Sequence, residues 1–315
     1  MIRQIPGIRT TRGLSPTQRL FVPAAVLCFS AAACHPGNRE ARDLLDACGA
    51  GEVQACNDLA QRLQEGRHVL RDEIHAAALF AQACDGGVGD GCASLGVKYQ
   101  GASGVDRDSA RAASLFRQGC DRGGMDGCTR LGILHHGGDG VPADTQLAAG
   151  LFQQACEGGN LPGCARLGGL YAVGEGMDLD YSRAAELFQR ACDGDVGLGC
   201  LGLGRLHAAG NGVARDDSAT IALFDKACDH GEATGCFELG AVYDAGRGAE
   251  QNYQRAAMLY RRACGRRHGE ACYRLAGLYE RGAGVFRSPE QATEYTRRAC
   301  ASGYAAACPP GRGSR

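Results

Sequence analysis

Apolar residues return along this chain in short helical bursts that recur every 36 residues. In each burst a cysteine is followed three residues later by leucine: Leu59, Leu95, Leu131, Leu167, Leu203, Leu239 and Leu275. The next position is always small (Ala60, Gly96, Gly132, Gly168, Gly204, Gly240, Ala276), and the seventh holds Leu63, Tyr99, His135, Tyr171, His207, Tyr243 or Tyr279. The spacing i, i+3, i+4, i+7 marks one face of an α-helix. It predicts a helix that starts at the cysteine and buries it. Glycine at the small position costs roughly 1 kcal/mol of helix propensity against alanine. Its recurrence predicts that another helix backbone packs close there.

The pattern then breaks and restarts. Gly66, Gly138, Gly174, Gly210, Gly246 and Gly282 fall in one phase, with Ala102 as the exception. They fit left-handed backbone at a helix C-terminus. Asp72, Asp108, Asp144, Asp180, Asp216, Asn252 and Ser288 share a later phase, and all are N-cap residue types. Asn and Ser replace Asp there without any other change, which suits a cap better than a cation site. A second helix follows with an Ala-Ala-x-Leu-Phe core, as in Ala112-Ala113-Ser114-Leu115-Phe116. It closes on Ala-Cys in nearly every copy. Seven two-helix units result, framed 56–91 to 272–307, with half a unit before them ending at Cys48. The fold class is therefore all-α, a solenoid of helical hairpins stacked one on the next.

The cysteines sharpen this picture. Cys48/Cys56, Cys84/Cys92, Cys120/Cys128, Cys156/Cys164, Cys192/Cys200, Cys228/Cys236, Cys264/Cys272 and Cys300/Cys308 are each eight residues apart, in unbroken register. Eight residues along one helix would separate them by about 12 Å, too far for a disulfide. The chain must reverse between them, and Asp85-Gly86-Gly87 and Glu157-Gly158-Gly159 are turn formers. Each bridge then staples the second helix of one unit to the first helix of the next. Closing such a loop is worth roughly 2.5 kcal/mol. With no tryptophan and few aromatics, oxidation rather than core size is expected to set stability. Structural zinc sites favour cysteines two to four residues apart, so a uniform wider gap argues against metal.

Sixteen regular cysteines point to an oxidising compartment, and the N-terminus agrees. Arg3, Arg9, Arg12 and Arg19 precede a 13-residue apolar stretch from Phe21 to Ala33, too short to span a bilayer. Ala31-Ala32-Ala33 offers a cleavage site before Cys34. The segment resembles a bacterial lipoprotein signal, although Ala31 stands where that motif has Leu. The expected organisation is a signal peptide over 1–34 with Cys34 the first mature residue and lipid-bearing, a solenoid over 35–308, and a tail over 309–315. Export to the periplasm, outer membrane or cell surface follows. Secretion with a spare thiol at Cys34 is the alternative.

Net charge is −1, but unevenly spread. Residues 35–252 carry 18 basic and 31 acidic side chains, while residues 253–315 carry 12 Arg and 4 Glu. The basic end reads as a solvated face or a surface for an acidic partner. No aromatic stacking pattern accompanies the arginines, so no nucleic-acid partner is expected.

Leu239-Gly240-Ala241-Val242-Tyr243, Gly210-Asn211-Gly212-Val213, the phased Asp and the Ala-Ala helix resemble the Sel-one-like repeat family, relatives of the tetratricopeptide repeats. The paired cysteines look like its cysteine-rich secreted branch. The resemblance covers residues 38–308. It implies a right-handed superhelix with a concave groove, and a scaffold that binds a protein or peptide there, as a monomer. It also implies an alternative, β-lactam binding with weak β-lactamase activity. The residues give that alternative no chemistry. Serine β-lactamases use Ser-x-x-Lys, and the chain's two lysines, Lys98 and Lys226, have Leu95 and Leu223 three residues before them. There is no His-Glu-x-x-His or Gly-x-Ser-x-Gly motif. No catalytic residue, metal site or cofactor is expected, and His135 and His207 read as packing residues in the tyrosine phase.

Overall fold

The computed structural model describes residues 37–309. The proposed signal segment, Cys34 and the last residues of the tail lie outside the described residues. Among the described residues every regular element is helical. The chain divides into two compact units, one ending at Gly127 and one beginning at Cys128. The first holds α1 (Gly37–Ala50), α2 (Val53–Glu65), α3 (Glu73–Asp85), α4 (Gly89–Gly101) and α5 (Ser109–Asp121). Helix α6 (Met125–Gly137) runs into the second. That unit continues with α7 (Thr145–Glu157), α8 (Leu161–Val173), α9 (Tyr181–Asp193), α10 (Gly197–Ala209), α11 (Asp217–Asp229), α12 (Ala233–Ala245), α13 (Tyr253–Gly265), α14 (Gly269–Arg281) and α15 (Pro289–Ala301). Among the described residues no helix is long and apolar enough to cross a membrane.

Local chemistry sets the helix ends. The side chains of Asp108, Asp144, Asp180, Asp216, Asn252 and Ser288 each accept the backbone N–H three residues on, and Asp72 accepts those of Ile74 and His75. Each satisfies a donor that the first helical turn leaves free. At the other end, Gly174, Gly210, Gly246 and Gly282 adopt left-handed backbone, and their N–H groups return to a carbonyl four residues back.

Two expectations need correcting. The first helix of each repeat starts three residues before the cysteine, not at it. Three residues suffice to reverse the chain. Gly87 takes φ 96°, Val88 is extended, and α4 begins at Gly89. The Cys92 N–H already bonds the Val88 carbonyl, at 3.2 Å. The second correction concerns the small residue four positions after the cysteine. Its close neighbour is chiefly an aromatic ring on the following helix. A Cβ on Gly96 would lie 2.6 Å from the Phe116 ring, and one on Gly132 2.6 Å from Phe152. Helix backbone is close there as well, the Ala112 carbonyl oxygen standing 3.2 Å from a Cβ on Gly96, and it comes closer still just before the cysteine. A Cβ on Gly199 would lie 2.9 Å from both the Cys192 nitrogen and the Phe188 carbonyl oxygen.

Those contacts build the core. In the first unit Leu59, Leu63, Leu79 and Phe80 are buried between α2 and α3 with the first two bridges. In the second unit the ring at the end of the Ala-Ala-x-Leu-Phe pattern is buried in turn as Phe152, Phe188, Phe224 and Tyr260. The bridges join adjacent helices: Cys48–Cys56 and Cys84–Cys92 in the first unit, and Cys156–Cys164, Cys192–Cys200, Cys228–Cys236, Cys264–Cys272 and Cys300–Cys308 in the second. Their Cα atoms are 4.5–4.8 Å apart, which requires the two bridged segments to lie in contact. Cys120 and Cys128 are not free thiols either.

Candidate functional site

The first helices of successive repeats in the second unit present their outer faces side by side, and across α6, α8 and α10 that face opens into a groove of about 520 Å³. Clefts of this size hold small molecules or peptide side chains. Its depth has a sequence cause. Two residues after the second cysteine, the repeats carry Asp58, Ser94, Arg130, Arg166, Gly202, Glu238 and Arg274. Five residues after it they carry Gln61, Val97, Ile133, Gly169, Arg205, Ala241 and Gly277. Gly169 on α8 and Gly202 on α10 thus remove two side chains from adjacent helices at one place.

The two glycines do different things. A Cβ on Gly169 would meet nothing within 4 Å, so this position is open space. A Cβ on Gly202 would lie 2.5 Å from the Phe188 ring. That ring stands 3.1 Å from the Cβ position of Gly168, against 2.6 Å for the equivalent Phe116 and Gly96. Phe188 therefore leans away from its own hairpin partner into the gap at Gly202, and its ring joins Phe152 in the groove lining. Leu198, Leu201 and Val173 make apolar walls. Leu201 also belongs to the contiguous apolar cluster against which Phe237 and Tyr304 pack. Beyond it Phe237 stacks on His268 at 4.6 Å between ring centroids, and Tyr273 lies 5.4 Å from Tyr304. Desolvation keeps the pKa of the half-buried His268 ring below its ordinary 6.5.

Charged groups rim the groove. His136 Nε2 lies 3.3 Å from Glu175 Oε2, and Arg205 Nη2 donates to Glu238 Oε1 at 2.6 Å. Arg166 also lines the rim, and among the described residues no carboxylate pairs with it.

The histidines in the tyrosine phase pack locally. His135 is buried and its Nδ1–H donates to the Pro142 carbonyl at 3.1 Å, while His207 does the same to Ala214 at 3.0 Å. Where that phase holds Tyr99, Tyr171 or Tyr243, an arginine twelve residues on covers it, whereas Tyr279 has Gln291 there and accepts from Arg261 instead. Arg111 lies over Tyr99, and Arg183 and Arg255 donate to the hydroxyls of Tyr171 and Tyr243. Opposite the histidines those positions are Leu147 and Ala219. Both lysines are occupied. Lys98 donates to Glu73 at 2.5 Å, and Lys226 donates to the Cys192 carbonyl at 2.7 Å and pairs with Asp195. Among the described residues no three His, Cys, Asp or Glu side chains converge to hold a metal.

The helix-pair geometry has known counterparts. Seven stretches, 53–88, 89–124, 126–160, 161–196, 197–232, 233–268 and 269–304, match the Sel1 repeat. The chain belongs to the Sel1 repeat family. The matched frame begins three residues before the cysteine, where the helices begin. Among solved structures, the chain is similar to c5321, a protective antigen of uropathogenic Escherichia coli strains that displays an SLR fold (28% identity, TM-score 0.58, covering 84% of this chain and 57% of that one). It thus spans a little over half the length of that relative. It is also similar to a Sel1 repeat protein from Oxalobacter formigenes (22% identity, TM-score 0.63, 90% and 82% covered). Helicobacter pylori cysteine rich protein B matches at 28% identity over 41% of this chain and 93% of that one, with a TM-score of 0.35. A comparison with proteins of curated function finds no match. Sel1 repeat proteins are repeat scaffolds generally concerned with protein interaction, and the many disulfides of this member fit an oxidising, exported setting.

Sequence reasoning found the bridges and the packing histidines, and the resemblance implied a concave groove, but the glycine pair that deepens it at this place was passed over. The clue is present: Gly202 is the only glycine in its phase. It was hidden because glycine is already frequent at neighbouring repeat positions for packing reasons.

Proposed function

We propose that this protein is an exported binding scaffold that holds a segment of a partner protein in the groove formed by α6, α8 and α10. The observation that carries this reading is the paired loss of side chains at Gly169 and Gly202. It leaves apolar surface and two aromatic rings at the floor of an open cleft. Repeat scaffolds expose extended surfaces of this kind, and variation at fixed repeat positions tunes them. The bridges support work outside the cytoplasm, where Cys34 would carry the anchoring lipid. Intact-mass measurement of the protein from membranes reads that lipid directly, and an unmodified Cys34 thiol would remove the anchor.

Val173, exposed at the groove wall, is the place to test binding. With Val173 replaced by a photoreactive phenylalanine, irradiation of intact cells should cross-link one protein partner. Gly169→Leu should abolish the product. A cross-link that persists in Gly169→Leu would place binding elsewhere and sink the groove reading.

A further inference from the structure

The groove has a charge preference that its apolar floor does not reveal. Three basic side chains stand on its rim, and two already have a carboxylate partner: His136 has Glu175 and Arg205 has Glu238. Arg166 does not. It projects from α8 one helical turn before Gly169, where a Cβ would meet nothing within 4 Å. An apolar side chain lying over Gly169 and Phe188 would therefore bring its neighbouring residue within reach of a guanidinium that has no carboxylate of its own.

We propose that the groove selects a partner segment in which an apolar side chain is followed or preceded by a carboxylate, with Arg166 as the residue that reads the acid. This rests on the groove reading above and adds its specificity. Arginine suits the task, since its planar fork pairs a carboxylate bidentately. The surroundings make the choice selective. Residues 35–252 carry 31 acidic against 18 basic side chains, so an acidic segment is repelled from most of this stretch and drawn to this place. Within residues 35–252, like-charge exclusion around this one attractive place gives specificity. A basic or neutral segment could use the apolar floor but would leave Arg166 without a counter-charge.

The test uses the full-length oxidised protein and random peptides displayed on phage, counter-selected on Gly169→Leu. That variant fills the cleft from a position where a Cβ meets nothing within 4 Å, and it trades glycine for a better helix former, so the fold is retained. Enriched peptides should pair a large apolar residue with an adjacent Asp or Glu. For a synthetic copy of such a peptide, Arg166→Gln should weaken binding about tenfold, and should leave unchanged the affinity for the copy in which Gln replaces the acid. Added salt should weaken the acidic copy selectively. Enriched peptides without acids, or equal binding by Arg166→Gln and the parent protein, would overturn the charge proposal and leave the groove standing. Enrichment that Gly169→Leu does not remove would overturn the groove reading, and this proposal with it.

Discussion

Six residues after the second cysteine of each pair, the two units bury different chemistry. In the first unit this position holds Arg62 and Lys98; in the second it holds Leu134, Leu170, Leu206, Val242 and Leu278. The leucines are buried among neighbouring apolar side chains. Lys98 is just as hidden, at 3% exposure, but its ammonium reaches Glu73 at 2.5 Å and stands 5.9 Å from the centre of the Phe80 ring. Arg62 similarly meets Glu40 at 2.6 Å. The same helix pair thus tolerates either hydrocarbon or the stem of a cation whose head is neutralised. The register must come from what the units share: the leucine and small residue nearby, the capped helix starts and the bridges. The difference lies in conditions. Apolar burial holds at any pH, whereas an ion pair holds only while both partners are charged.

The sharpest way to break this comparison is to remove one partner. Glu73→Ala strands the Lys98 ammonium in the first unit and should cost about 3 kcal/mol, while Lys98→Leu, which copies the second unit, should be neutral or stabilising. Hydrogen exchange along α3 and α4 reads both. If Lys98→Leu costs as much as Glu73→Ala, the two solutions are not interchangeable.

Breaking a bridge should cost about 2.5 kcal/mol in either unit, because every loop has the same length. Cys84/Cys92→Ser and Cys264/Cys272→Ser should therefore lower stability alike in chemical denaturation, and full reduction should strip helical circular dichroism. Unequal losses would show that one unit leans on its bridges more than the other.

Acidification should separate the units by stage. The hydrogen bond from Lys98, opposed by partial burial and assisted by Arg71, holds the Glu73 carboxyl below its ordinary 4.5. A depressed carboxylate stabilises the fold above its unfolded value, and that stabilisation is lost as pH falls through the folded one. His268 is depressed below 6.5 by desolvation, so its contact with Phe237 has full strength above 6.5 and weakens as pH drops through its lowered value. Amide exchange should rise first around α12 and α14, and around α3 and α4 only below about 4.5. A single common midpoint would erase the distinction.

The smallest effect belongs to the groove. Gly169→Ala should raise stability by about 0.5–1 kcal/mol, since the added methyl meets nothing and the helix gains propensity. A loss instead would mean the open space at Gly169 is filled in solution.

What could be read from the sequence follows the range of the interactions. Caps, turns and bridges act over eight residues or fewer, and repetition displays them seven times, so Asp108, Gly174 and Cys192–Cys200 were legible one by one. The helix start was misplaced because the cysteine, rather than the preceding turn, marked the phase. The ring against Gly96 comes from Phe116, twenty residues on, and nothing local names it. The Lys98–Glu73 pair joins different repeat phases 25 residues apart, which a register of identical positions conceals. The Tyr–Arg pairing went unread: Tyr99, Tyr171 and Tyr243 each have Arg twelve residues on, but Tyr279 has Gln291 and breaks the rule.

The bridges have one more consequence, for a chain that meets proteases. A cut in the turn between Cys84 and Cys92, or between Cys192 and Cys200, opens a peptide bond inside a covalently closed ring. The fragments stay tethered, and the nicked molecule runs at full size until a reductant is added. Cuts in the turns that follow α4 or α10 have no such safeguard, and the pieces part as soon as the fold is denatured. The cysteine register thus divides the surface into stretches where scission is silent and stretches where it severs the molecule.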